Sequence, residues 1–288
     1  MEISIGLPDH VPGLDPAVLV AWARRAEARG FAAVVATERL AWSTPEPLTV
    51  LAAVAGATAR IGIVAGVLLA PLRPNHALLA KSVATLDAIA GRGRLRIGMA
   101  PGLRKDDFDA AGLDFHTRGR QLDVLVGTLR EIWAGESGIG PRPATPGGPP
   151  LLFGGASDHT ARRVVASGDG WIASGIDVAR FETFAKRLRT EWSAAGRPGT
   201  PQLVDTVNVV LGPGAADRLA ESINSYYAFL PPDFRGFLLA AGLTTAEQVE
   251  ESVAAHLRAG CDELVLVGNS ADPAQVDLLA DAAGLRPA

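Results

Sequence analysis

A chain of 288 residues has room for one large barrel or two modest domains, and its hydrophobic fraction of 48% beside 20% charged residues suits a well-buried globular protein. The formal net charge of -4 gives no basic footprint, so no nucleic-acid partner is expected; no apolar run approaches the roughly 20 residues of a membrane span, so no membrane partner is expected either. One cysteine, Cys261, excludes an intrachain disulfide, and the opening MEISIGLPDH lacks a basic then apolar leader, which together predict a cytoplasmic location.

Taken in chain order, short β-branched or aliphatic runs alternate with longer segments of helical period. Residues 3–7 read as a first strand, and Asp15 caps a helix over 16–29 with proline at its first position. Gly30 ends that helix, and 31–36 is strand two. A helix over 47–58, strand three over 61–67 and a helix over 76–90 follow. Strand four covers 94–98, with a helix over 117–133; strand five is 151–153, with a helix over 158–167. Strand six is 170–173 and its helix 178–195; strand seven is 203–210, with a helix starting over 215–225 and another over 245–259. Strand eight over 262–267 and a helix over 273–283 close the series.

Strands that are apolar almost throughout suit a parallel sheet covered on its faces. Regular alternation argues for an α/β protein, and a count of eight selects a closed (β/α)₈ TIM barrel over an open doubly wound sheet. Two segments break the rhythm: residues 135–150, a glycine- and proline-rich loop, and 226–242, an irregular insertion after strand seven that carries YYAFLPPDF. No linker divides the chain, which predicts a single domain over 1–288.

Barrels of this kind carry chemistry at the C-terminal ends of their strands. Gly154-Gly155-Ala156-Ser157 lies between strand five and a helix, where successive N–H groups and the helix N-terminus can cradle an anion. A plain tight turn with Ser157 or Asp158 as N-cap accounts equally well for that spacing. Gly66 at the end of strand three marks a bulge, a close ligand approach or simple core packing. Thr37-Glu38-Arg39 after strand two offers a carboxylate and a guanidinium that orient a substrate, move a proton or form a surface ion pair. His10 and His116 lie in loops and qualify as acid or base, His159 follows the glycine turn, and His76 and His256 sit on helices as structural groups. No histidines are spaced as a metal pair, and no cysteine or carboxylate cluster joins them, so no metal is expected.

The stretches ARIGIVAGVLLAPLRPNHALLAKSVATLDAIAGRGRLRIGMAPG and PPLLFGGASDHTARRVVASGDGWIA resemble the signature segments of the luciferase-like monooxygenase superfamily. The resemblance extends to GLPDHVPGLDPAVLVAWARRAEARGF and AGCDELVLVGNSADPAQVDLLADA, and weakens at the two irregular segments. It implies a bacterial-luciferase-like barrel that binds coenzyme F420 or FMN at its C-terminal mouth. The terminal phosphate would then lie on Gly154, Gly155, Ala156 and Ser157, and the ring beside Gly66, Val67 and Ala100, with a non-prolyl cis peptide at Gly66–Val67. Deazaflavin members carry an acidic residue followed by histidine after strand two, where this chain has Glu38-Arg39. Arginine does not shuttle protons at neutral pH, so Glu38, His10 or water would supply a proton. Arg39 would instead neutralise an anionic substrate or the deazaflavin tail. The resemblance favours F420 over FMN and hydride transfer to a small organic carbonyl, imine or alkene. The alternatives are an FMN-dependent monooxygenase and a non-catalytic flavin-binding barrel. Small-molecule substrates and a homodimer are the partners it implies.

Overall fold

The computed structural model describes residues 1–135 and 137–287. Eight parallel strands close into one barrel in sequence order: β1 (Glu2–Gly6), β2 (Ala33–Ala36), β3 (Gly62–Leu69), β4 (Leu95–Ala100), β5 (Leu151–Gly154), β6 (Gly170–Ile172), β7 (Gln202–Val209) and β8 (Glu263–Gly268). Closure is made where Glu2, Ile3, Ser4 and Ile5 pair with Glu263, Leu264, Val265 and Leu266. The (β/α)₈ expectation is met.

The helices are α1 (Ala17–Ala28), α2 (Pro47–Ala57), α3 (His76–Ala90), α4 (Lys105–Ala111), α5 (Arg118–Ala134), α6 (Asp158–Ser167), α7 (Val178–Ala194), α8 (Ala215–Tyr226), α9 (Pro232–Ala240), α10 (Ala246–Arg258) and α11 (Ala274–Ala282). Side-chain caps set many of their starts: Asn75 accepts from Leu78 N–H, Asp177 from Arg180 N–H, and Thr245 forms a capping box with Gln248. Asp15 accepts the Ala17 N–H at 2.9 Å, and Pro16 stands at the N-cap of α1 rather than in its first turn. Two helices lie where loop was expected, α4 after β4 and α9 inside the insertion. The loop over 137–150 has no regular element; Glu136, which belongs to that expected loop, lies outside the described residues.

Core packing falls into three bodies. The largest fills the space between strands and helices, around Trp22, Leu51, Phe153, Trp171 and Leu266. A second fills the barrel bore with Val35, Val64, Leu152, Ile172, Val204 and Val265. A third packs α8 and α9 together through Leu219, Ile223 and Leu238. Below the bore, the buried Glu263 carboxylate takes hydrogen bonds from Ser4, Arg96 and Gln202 (3.1 Å for the last), so the N-terminal end of the barrel is plugged by a paired polar cluster. The opposite end carries the candidate site.

Candidate active site

One wall of the mouth is built from residues with little or no side chain. β3 shifts register between Ala65 and Leu68, and the Gly66–Val67 peptide is cis, as the resemblance implied. A Cβ on Gly66 would stand 2.5 Å from Val35 Cγ1, and one on Gly98 would stand 2.7 Å from the Ala65 carbonyl oxygen. A Cβ on Gly154 would lie 3.2 Å from Ala100 Cβ and 3.3 Å from Val67 Cγ1. Gly66, Val67, Ala100 and Gly154 are thus brought together on adjacent strands β3, β4 and β5, all only partly buried. These contacts show why no larger side chain fits at Gly66 and Gly98, and they keep the partly buried surface of Gly66, Val67, Ala100 and Gly154 low.

The turn after β5 is open. Gly155 holds φ at +98°, in the region glycine favours, and it is exposed together with Ser157. Ser157 caps α6 by accepting the Thr160 N–H at 3.3 Å, and Trp171 Nε1–H ties the turn down by donating to the Gly155 carbonyl. Among the described residues, the N–H groups of Gly155, Ala156 and Ser157 donate to nothing. Three unengaged amides beside a helix N-terminus present positive partial charge. A phosphate-bearing flat ring fits both the turn and the wall beside it.

A buried polar chain crosses the other side of the mouth. Asp9 accepts the Thr37 N–H and hydroxyl, both at 2.7 Å, and stands 3.6 Å from His10 Nδ1. His10 Nε2 lies 3.1 Å from Asn269 Oδ1. That oxygen also accepts the Ser222 hydroxyl at 2.9 Å, while Asn269 Nδ2 donates to Val267 O and Asn208 Oδ1. With the amide so oriented, His10 Nε2 carries the proton, and Nδ1 is buried with no hydrogen-bond partner.

The insertion covers this region. Tyr226 packs edge-on against His10 (5.2 Å) and Trp42 (5.9 Å), and Trp42 Nε1–H donates to the His10 carbonyl at 3.3 Å. The Arg39 guanidinium lies over Trp42 at 4.3 Å, and that of Arg104 over Tyr226 and Phe229 at 4.5 and 4.0 Å. On the far side, Phe234 and Leu238 of α9 approach Gly175 in the loop after β6. Residues 226–238 therefore strap across the mouth.

Glu38 is committed elsewhere: it accepts the Leu69 N–H and pairs with Arg73. Burial pushes its carboxyl above the usual carboxylate range, against the pull of Arg73 and the Leu69 amide. It thereby fastens the exit of β2 to the end of β3. Burial, with the neighbouring Tyr227, pushes the Tyr226 hydroxyl far up, so it stays protonated. Burial, and then the nearby Arg39, lower the Arg104 guanidinium from its ordinary value.

Of the residues expected from sequence, His10 and Arg39 meet around Tyr226, and Gly66, Val67, Ala100, Gly154 and Gly155 share the opposite wall, with Ala156 and Ser157 continuing the turn. His116 and His159 are exposed, and His159 contacts only Arg162 at 2.7 Å among described side-chain hydrogen bonds. His256 is structural as expected, buried against Asp205 at 3.2 Å. Trp42, Arg104, Tyr226, Phe229 and Asn269 were not anticipated. The signal available was weak: Asp106 and Asp107 ahead of Phe108 resemble an acidic first helical turn, which would have placed Arg104 at a helix start beside the mouth. No group of histidine, cysteine and acidic residues suited to a metal occurs among the described residues.

A closed parallel barrel with a wall of small residues and an open turn at the C-terminal ends of its strands defines a TIM-barrel protein whose candidate site lies at that mouth. The family model of luciferase-like monooxygenases matches residues 1–278, and the chain belongs to that family of flavin- or F420-dependent oxidoreductases and monooxygenases. An uncharacterized protein of Mycobacterium tuberculosis is 30% identical over 203 residues, covering 66% of this chain and 71% of the relative. An F420-dependent glucose-6-phosphate dehydrogenase of Kribbella flavida is 30% identical over 196 residues, covering 60% of this chain and 58% of the relative. The monooxygenase RslO1 from Streptomyces bottropensis shares the fold at a TM-score of 0.82 and 22% identity, covering 98% of both chains. No helix among the described residues is long and apolar enough to cross a membrane.

Proposed function

We propose that the protein is an oxidoreductase that transfers hydride from reduced F420 to a small organic carbonyl, imine or alkene. The observation that carries this reading is the pairing of three unengaged amides at Gly155, Ala156 and Ser157 with the low wall of Gly66, Val67, Ala100 and Gly154. The amides would hold the coenzyme's terminal phosphate, and Gly66, Val67, Ala100 and Gly154 would flank its ring. When bound, the coenzyme supplies the hydride. The protein's own part is to orient the substrate, exclude water beneath Tyr226 and manage one proton. His10 is the group suited to that proton: its Nε2–H is fixed by Asn269, and Nδ1, bare in that tautomer, would take up a proton beside Asp9 before giving it to the substrate. Glu38 holds the β3 exit in place through Leu69 and Arg73.

The relative from Kribbella flavida supports F420 as the coenzyme. The family's description supports a second reading, FMN-dependent monooxygenation. Equilibrium dialysis against F420 and FMN, read by absorbance, tests the first point. Retention of F420 and not FMN is expected, and the reverse result, with oxygen uptake, would transfer the assignment to the second reading. Binding of either without turnover over a carbonyl and enone panel would leave a non-catalytic barrel.

A further inference from the structure

We propose that Arg39 and Arg104 form an anion subsite that holds the carboxylate or phosphate of the organic substrate beneath the strap. The proposal deepens the reading above and rests on it for placing a substrate at the mouth.

Arg104 is 8% exposed, yet among the described residues its guanidinium donates no hydrogen bond to the chain, and its Nη1 is fully buried without a partner. Only ring faces hold it, those of Tyr226 and Phe229. Arg39 stands beside it, also 8% exposed and itself 5.9 Å from the Phe229 ring centroid. Arg39 donates to the Tyr226 carbonyl and to Asp106, both at 3.1 Å, and its Nε is buried and unpartnered. Two cations side by side in a low-dielectric setting repel one another, and a buried charge without a partner is strongly unfavourable.

The carboxylates in reach do not fully relieve this. Asp106 is half exposed and taken by Arg39. Asp107, wholly buried, offsets part of the Arg104 charge through space. Its Oδ1 takes the Ala41 N–H at 2.7 Å and its Oδ2 meets no donor, so it accepts no hydrogen bond from Arg104. Asp9 is engaged by Thr37. The missing hydrogen-bond acceptor for the Arg104 fork is therefore external, and the planar fork of a guanidinium matches a carboxylate or phosphate oxygen pair. Leu40 and Leu103, next in sequence to the two arginines, are 50% and 77% exposed, so apolar surface accompanies the charge. The occupant that fits is an organic anion with an apolar body. Since the amides at 155–157 provide for a coenzyme phosphate, the anion here belongs to the second molecule.

The test uses the full chain without coenzyme, melted in inorganic phosphate, in hexanoate and in chloride at equal ionic strength. Ligand binding to the native state alone raises the midpoint, by roughly 2–4 °C at tenfold excess over Kd. Wild type should respond to phosphate and hexanoate, but the open turn at 155–157 would also take inorganic phosphate, so the subsite is read from the hexanoate arm. Arg104→Met should lose the hexanoate response while keeping the phosphate response of the open turn. Arg104→Lys, which keeps charge without the fork, should respond weakly to hexanoate, and Arg39→Met should also lose that response, which covers the case of a variant that fails to fold. Equal wild-type midpoints in hexanoate and chloride would overturn the proposal. So would an Arg104→Met protein that responds to hexanoate as wild type does. Dialysis separates the two sources of the anion: Arg104→Met should bind F420 as tightly as wild type, whereas a loss for F420 but not for its core lacking the phosphate tail would give the subsite to the coenzyme and overturn the substrate assignment. Failure of the coenzyme reading would show separately, as wild type retaining neither F420 nor FMN.

Discussion

Gly155 combines a backbone angle that disfavours other residues with an amide that faces no partner in the chain. Gly155→Asp places a negative charge where the helix α6 N-terminus favours an incoming one, and coenzyme affinity should fall by on the order of 10-fold or more. Because φ at +98° strains any residue with a Cβ, the unfolding midpoint should fall as well, and Gly155→Ala, which carries the strain without the charge, separates the two effects when both variants are dialysed and melted. Retained affinity would remove the turn from the site. At His10, replacement by Phe keeps the edge contact with Tyr226 and deletes both ring nitrogens. With a positioned proton donor worth ~10²–10⁴-fold, kcat should drop by about that range while KM changes little. A variant that raises KM alone would reassign His10 to binding.

At the scale of elements, the strands and long helices were readable because each carries an apolar period or run longer than its neighbours' loops. The two missed helices show where that signal fails. α4 has seven residues, too few for a period, and α9 follows Pro231 and Pro232, which read as loop although Pro232 serves as the helix's first residue. The site divides in the same way. The glycine turn was legible because strand end, turn and helix start are local in sequence. The arginine cage was not, because Arg104 meets its aromatic partners more than a hundred positions away at Tyr226 and Phe229, and no short window contains both. Away from the mouth, β7 and α10 are joined by buried Asp205 and His256. Burial opposes a charged imidazole, but hydrogen bonds to Asp205 and the Ser252 carbonyl prevail and raise its pKa. A raised folded-state value means the stability from this pair is complete below the ordinary histidine value near 6.5 and is lost as pH rises through the folded value. Burial likewise raises Asp205, which acts in the same direction. Chemical denaturation at pH values on either side of that window should show stability declining upward in wild type and a flatter curve in His256→Gln.

For the whole molecule, closure of the sheet and the polar plug beneath it act together. Glu263 lies on the closing strand, pairs with Glu2 in register, and accepts hydrogen bonds from three other strands through Ser4, Arg96 and Gln202. Arg96→Met would leave that carboxylate buried without its cation, a loss on the order of 3–5 kcal/mol. Denaturant titration should register it, and the double variant Arg96→Met with Glu263→Gln should recover part of the loss.

A bore packed with valine, leucine and isoleucine above such a plug has one doorway, and the strap hangs over it. If a coenzyme takes the glycine wall and a substrate the space beneath Tyr226, as proposed, the coenzyme would have to arrive first and leave last.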